Sequence, residues 1–141
     1  MVTGMRIERV TEAAEVMRAP DLFDGPPLAE ATRDFLARPG HHLIFAYDDS
    51  GRAVGMISGV ETIHPDKGTE MFVYELGVVP AARLQGVGTA LVKALADLAR
   101  ERGCYGMWVG TETGNVAGQA TYRRAGADAE EPFLLLNWDL T

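Results

Sequence analysis

Two glycines at the start of a helix carry the clearest chemical signal in the chain. Gly86 and Gly88 follow Arg83, Leu84 and Gln85. They open a stretch, 86–102, in which Val87, Leu91, Leu95 and Leu98 recur at spacings of 4, 4 and 3. Apolar residues at that spacing predict an amphipathic helix. A helix start offers unpaired N–H groups and the positive end of the helix dipole, which suits a pyrophosphate. Gly86 and Gly88 let phosphate oxygens approach the backbone, and Arg83 adds charge. Glycine within a helix costs about 1 kcal/mol relative to alanine, so a pair needs a reason. A ligand is one reason; two helix-start glycines without a ligand are the other. Other nucleotide loops do not fit. The third glycine of a G-x-G-x-x-G loop would fall on Leu91, and no Gly-Lys-Ser/Thr follows.

That loop needs a strand before it and a sheet behind it. Residues 5–10 predict a short alternating strand, with Thr11 as the N-cap of a helix running to about Arg18. Pro20 and then Gly25-Pro26-Pro27 break the chain, and 28–37 predicts a second helix stopped by Pro39-Gly40. A strand at 43–47, the turn Asp48-Asp49-Ser50-Gly51 and a strand at 53–63 make a hairpin. After the turn 65–68 a third strand covers 71–79, with Gly77 marking a bulge or a close backbone approach. Alternation along it sets Glu75 on the face opposite Tyr74 and Leu76. The long helix is capped by Gly103. A strand at 105–111, a helix at 115–125 ended by Gly126, and a last strand at 132–139 complete the chain. In that last strand Phe133, Leu134, Leu135 and Leu136 are continuously apolar. The order β-α-α-β-β-β-α-β-α-β implies an α/β fold with a mixed sheet and helices packed against it, one domain over 1–141.

Two sequence blocks resemble the GNAT superfamily of N-acetyltransferases. Arg83-Leu84-Gln85-Gly86-Val87-Gly88 matches the family's Arg/Gln-x-x-Gly-x-Gly/Ala loop, after a strand ending Glu75-Leu76-Gly77-Val78-Val79-Pro80. The run from Asn115 through Tyr122 to Gly126 is similar to the family's Asn…Ala…Tyr-x-x-x-Gly helix, and the element order agrees. The resemblance implies the GNAT fold with a splayed central sheet, and acetyl-CoA as co-substrate. Its pyrophosphate would sit on the N–H groups of Leu84, Gln85, Gly86, Val87, Gly88 and Thr89. Its pantetheine arm would add to the strand edge at Leu76, Gly77 and Val78, with Asn115 on the other side. Within the family the chain looks most like aminoglycoside 3-N-acetyltransferases, through Asp21-Leu22-Phe23, residues 72–78, residues 84–91, and Tyr122 with Gly126. That subgroup has Asp where this chain has Glu75.

Acetyl transfer to an amine requires loss of an amine proton, a polarised thioester carbonyl and protonation of the leaving thiolate. Tyr122 is the candidate acid, since a phenol with pKa about 10 is protonated at neutral pH. Its alternative role is packing under the sheet. Glu75 is the candidate base, directly or through water; its alternative is to bind a cationic substrate. A backbone N–H near Val78 would polarise the carbonyl. Residues 19–31 hold Asp21, Asp24 and Glu30 without Lys or Arg. Asp21, Phe23, Asp24 and Glu75 are therefore the candidate acceptor-binding groups, with Phe23 packing on a sugar or alkyl face. Residues 125–141 are equally free of bases, but a solvated surface explains them.

Composition narrows the partners. Thirteen Lys and Arg against 20 Asp and Glu give a net charge of −7. That argues against nucleic acid, which needs a basic face, and favours a cationic partner. No apolar run approaches the roughly 18 residues of a membrane span. Residues 1–9 lack the apolar core of a signal peptide, and Cys104 is the one cysteine, so a reducing cytoplasm is expected. His41, His42, His64 and Cys104 lack metal-ligand spacing, so no metal is expected. The resulting reading is an acetyl-CoA-dependent aminoglycoside N-acetyltransferase, 3-N position favoured, conferring antibiotic resistance. The alternatives are an acetyltransferase for a polyamine or peptide N-terminus, and a non-catalytic acetyl-CoA-binding module. The apolar stretch 133–136 makes a homodimer an expectation too.

Overall fold

The computed structural model describes residues 4–141. In chain order it runs β1 (Arg6–Arg9), α1 (Ala13–Met17), α2 (Ala29–Ala37), β2 (His41–Tyr47), β3 (Ala53–His64), β4 (Gly68–Val78), α3 (Val87–Glu101), β5 (Met107–Trp108) and α4 (Val116–Arg124). Short 3-10 turns lie at Pro20–Leu22 and Pro80–Ala82. The strands form one sheet in the order β1-β2-β3-β4-β5, antiparallel up to β4 and parallel between β4 and β5. The mixed α/β sheet is as expected. No helix among the described residues is long and apolar enough to cross a membrane.

The apolar stripe of α3 seats itself in the sheet because β3 lacks side chains there. A Cβ on Gly55 would lie 2.8 Å from Val87 and 3.0 Å from Leu91, and one on Gly59 would lie 2.9 Å from Leu95. Val87, Leu91, Val92, Leu95 and Ala99 are buried on this face. Phe45 and Met56 are buried with no exposed surface, and Met56 lies under Gly77 on the opposite face. Phe23 reaches Phe45, with ring centroids 6.4 Å apart. At the far end of the sheet, His42 is buried between Arg9 (2.8 Å) and Glu61 (2.6 Å), and Glu61 also accepts from Nε of Arg102 at 2.7 Å. Burial holds the His42 pKa down despite Glu61.

Four local expectations are corrected. Helix α1 starts after Glu12, which is extended and makes no side-chain cap, so Thr11 is not its N-cap. The strand expected at 105–111 pairs with β4 only at Met71↔Met107 and Phe72↔Trp108, because the two strands then diverge. The bulge of β4 is not at Gly77. Ser58 faces Glu75 and Gly59 faces Val73, so Tyr74 is the inserted residue. The alternative offered for Gly77, a close approach, does hold: its Cβ would lie 2.9 Å from the Leu22 carbonyl oxygen.

The last strand, 132–139, does not form. A strand needs a hydrogen-bonded neighbour, and this segment has none in its own chain. Among the described residues, no backbone group of 128–141 bonds to another backbone group. Its first part stays beside α4 and β5, where Arg123 bonds Glu130 at 2.8 Å and Phe133 lies against Gly110. The remainder leads into solvent.

Candidate active site

The bulge at Tyr74 decides where Glu75 points. Met71 contacts the α3 side under Gly59, so Phe72 lies on the other face. Tyr74 joins Phe72 there, ring centroids 6.0 Å apart and nearly perpendicular. Unbroken alternation would return Glu75 to the α3 face. The inserted residue cancels that step, so Glu75 shares the face of Tyr74, a correction to the alternation argument. Leu76 points the other way, to within 3.8 Å of where a Gly88 Cβ would be.

Glu75 therefore meets the segment between α1 and α2. Its pKa is raised, first by burial and then by the neighbouring Asp24 carboxylate, which also lies within hydrogen-bonding reach. Two carboxylates held together repel, and each gains when a cation or proton comes between them. Asp24 and Glu75 are thus brought together as the sequence proposed. Phe23 and Asp21 are not brought to them in the same way. The Phe23 ring is engaged with Phe45. The Asp21 carboxylate is turned toward Arg52, at 3.8 Å. Sequence reasoning missed the aromatic ledge beside Glu75. Trp108 stacks on Phe72 at 4.5 Å, and Tyr74, 72% exposed, extends it. The signal was a run of aromatic residues at 72, 74 and 108, whose common face depends on the bulge and on the β4–β5 pairing.

Beyond Phe72 and Trp108 the edge of β4 stands free. The Val79 N–H donates to Val54 on β3. By alternation Gly77 also faces β3, and the N–H and C=O groups of Leu76 and Val78 face the gap. This is a sheet edge to which an extended amide-bearing chain can add.

The 83–89 loop ends that gap. Leu84 has φ +62 and Gly86 φ +83, so the chain reverses sharply before α3. Among the described residues, the N–H groups of Leu84, Gln85, Gly86, Val87, Gly88 and Thr89 reach no backbone acceptor, and no side chain caps the helix. Arg83 donates from Nε to the Val78 carbonyl at 3.0 Å, which fixes its guanidinium at the mouth of the gap. Gln85 donates to Ala81 at 3.1 Å and steadies the turn. The two glycines do different jobs. Gly86 takes the left-handed conformation, whereas Gly88 leaves room for α4, since its Cβ would lie 3.2 Å from Thr121. These unpaired donors, the positive helix end and one arginine fit a pyrophosphate.

Helix α4 supplies the other wall, beside α3. Asn115 caps it, accepting from the Gly118 N–H at 3.1 Å while its Nδ2 donates to Thr111 at 3.0 Å. Tyr122 is half-buried, and burial raises its pKa, so the phenol keeps its proton at neutral pH. Glu75 and Tyr122 thus flank the diverging strands from opposite faces of the sheet.

Residues 10–127 match the acetyltransferase (GNAT) family. The chain belongs to that family. Over 102 residues it is 36% identical to an aminoglycoside N(6′)-acetyltransferase type 1 of Klebsiella aerogenes, covering 70% of this chain and 66% of that protein. Over 99 residues it is 33% identical to an L-2,4-diaminobutyric acid acetyltransferase of Nocardia farcinica (strain IFM 10152), covering 67% of this chain and 48% of that protein. The chain thus spans between about half and two thirds of the curated relatives it matches. The fold is also that of an aminoglycoside acetyltransferase from an uncultured soil metagenomic sample, solved in complex with sisomicin. The TM-score is 0.88 at 18% identity, over 97% of each chain. In this GNAT chain the diverging β4–β5 pair and the loop before α3 lie within the residues that match the family.

Proposed function

We propose that this acetyltransferase moves an acetyl group from acetyl-CoA to an amino group of an aminoglycoside, and thereby confers resistance to it. The observation that carries the acceptor class is the Asp24–Glu75 carboxylate pair beside the Phe72–Tyr74–Trp108 ledge. A polyammonium sugar offers charge to the first and apolar ring faces to the second. The segments quoted above favour the 3-N amine, whereas the aminoglycoside relative by sequence bears the name of a 6′ enzyme. The acceptor position is therefore read from the product. A second reading, a small diamine acid such as 2,4-diaminobutyrate, is favoured by the other relative alone.

Bound acetyl-CoA supplies an activated acetyl thioester. The N–H groups of 84–89 and Arg83 hold its pyrophosphate, and the free edge at Leu76 and Val78 holds its arm, with Asn115 opposite. Glu75, directly or through a water, takes a proton from the substrate ammonium. A backbone N–H near Val78 polarises the thioester carbonyl. As the amine nitrogen bonds the acetyl carbon and the C–S bond breaks, the Tyr122 hydroxyl gives its proton to the departing sulfur. The second proton that the nitrogen loses on becoming an amide restores the phenol, so the net proton released is the one Glu75 takes.

The test is thiol release from acetyl-CoA with gentamicin-type and kanamycin-type compounds, 2,4-diaminobutyrate, spermidine and a short peptide. Turnover of the aminoglycosides at the highest kcat/KM is expected, weakening as salt rises. NMR of the product then distinguishes the 6′ from the 3-N amine. Turnover confined to the diamine, spermidine or peptide would overturn the proposal.

A further inference from the structure

The acceptor face of β4 continues past the aromatic ledge. Met71 contacts the α3 side of the sheet, so Glu70, like Phe72, lies on the other face. Here β4 and β5 run side by side, with Met71 beside Met107 and Phe72 beside Trp108. Continuing that register sets Gly106 beside Glu70. A Cβ on Gly106 would lie 3.9 Å from Oε2 of Glu70. Gly106 and Trp108 are two residues apart and share a face. The Glu70 carboxylate therefore lies on the face of the Phe72 and Trp108 rings, and Gly106 puts no side chain over it.

This carboxylate is free to take a cation. Among the described residues, no Lys, Arg or His pairs with Glu70. The cations near it are engaged by another group: Nζ of Lys67 bonds Asp66 at 3.0 Å, and His64 meets the same aspartate. The Tyr105 hydroxyl lies within hydrogen-bonding reach of Glu70. A phenol donates there and leaves the negative charge in place. Glu70 and Tyr105, with Thr62 and His64, border an open depression of about 280 Å³. Sites for whole small ligands take roughly 300–1,000 Å³, so this one suits a single ring of a larger molecule.

The pairing of β4 with β3 sets the distance to the reacting end. Glu70 faces Thr62 and Glu75 faces Ser58, four residues apart along β3. At about 3.3 Å per residue, the two positions are about 13 Å apart. Phe72, Tyr74 and Trp108 lie between them. One face of β4 thus presents a carboxylate, a ring surface and a second carboxylate in line.

We propose that Glu70 is a specificity-determining residue of the acceptor site, taking the ammonium group of an outer ring while the reacting amine lies at Glu75. This rests on the aminoglycoside reading above and narrows it to acceptors of three linked rings. A diamine acid is too short to reach both carboxylates. Spermidine is longer, but it has no ring face to lay on Phe72 and Trp108. The depression beyond Glu70 then holds the edge of the outer ring.

The experiment compares kanamycin B with neamine, which has the same first two rings and lacks the third. Glu70→Gln keeps an acceptor for Tyr105 and removes the charge. It should raise KM for kanamycin B about two- to fivefold, the worth of one partly exposed ion pair, and leave its kcat unchanged. KM for neamine and affinity for acetyl-CoA should stay at wild-type values. Glu70→Lys should raise KM for kanamycin B further, and Glu70→Asp should recover most of the loss. A KM for kanamycin B that ignores the charge at 70, an equal rise for both compounds, or a fall in kcat alone would each overturn the role of Glu70. Wild-type turnover separates this from the broader reading: if the wild type acetylates neither compound, the aminoglycoside assignment falls and the proposal with it.

Discussion

Gly77→Ala tests whether the segment carrying Asp24 rests on β4 as closely as the geometry has it. The added Cβ would lie 2.9 Å from the Leu22 carbonyl oxygen. Ordinary C···O approaches are roughly 3.3–3.6 Å, so strand or loop must yield by about 0.5 Å. The neighbour is backbone, which cannot swing aside as a side-chain tip can. Overpacking of this kind costs about 1–3 kcal/mol. Replacing glycine also restricts the unfolded chain, which stabilises by about 0.4–1 kcal/mol where the new residue fits. Gly25→Ala isolates that second effect, since a Cβ there meets nothing within 4 Å. The difference between the two variants in urea unfolding is then the clash itself, about 1–3 kcal/mol, or roughly 2–4 °C in Tm for each kcal/mol. The yielding loop also moves Asp24 from Glu75. KM for the amine should rise several-fold, while affinity for acetyl-CoA holds. Equal stability of the two variants, within about 0.5 kcal/mol, would refute the close approach.

Four further outcomes follow from the site and the core. Glu75 titrates above the ordinary carboxylate range, through burial and then Asp24, so kcat/KM should fall on the acid side at a higher pH than a free glutamate would give. Asp24→Asn removes the like charge and should move that limb to lower pH; a limb that stays put denies the coupling. The same shift has a stability sign. Folded Glu75 keeps its proton to higher pH than the unfolded chain does, so the wild type should lose stability relative to Glu75→Gln as pH rises from the unfolded value through the folded pKa, as urea unfolding across that window will read. Tyr122→Phe should lower kcat by roughly 10²–10⁴ in single-turnover measurements and leave acetyl-CoA affinity by calorimetry unchanged. A fall of less than twofold sinks the acid role. Leu95→Ala, under Gly59 with no exposed surface, should cost about 2–5 kcal/mol in urea unfolding.

The helix over 87–101 was legible from its own residues, because a period near 3.6 is a local property that each turn repeats. The loop before it was legible too, since two glycines at a helix start need a reason, although the structure gives them different ones: Gly86 takes a left-handed conformation, and the space at Gly88 is taken by Thr121. The strands β2 to β4 followed from apolar runs between turn residues. Other features depended on contacts far apart in the chain. The bulge at Tyr74 leaves no mark in the residue types of 71–78. It exists because β3 offers one residue opposite two, and a count of two per repeat then assigns Glu75 to the wrong face. The meeting of Asp24 with Glu75 arises where a loop 51 positions upstream crosses Gly77. The apolar run 133–136 announced a need for burial, and hydrophobicity has no direction. It marks a segment as apolar and is silent on what that segment packs against. In the folded chain its backbone bonds to no other backbone group among the described residues, so the strand it suggested does not form.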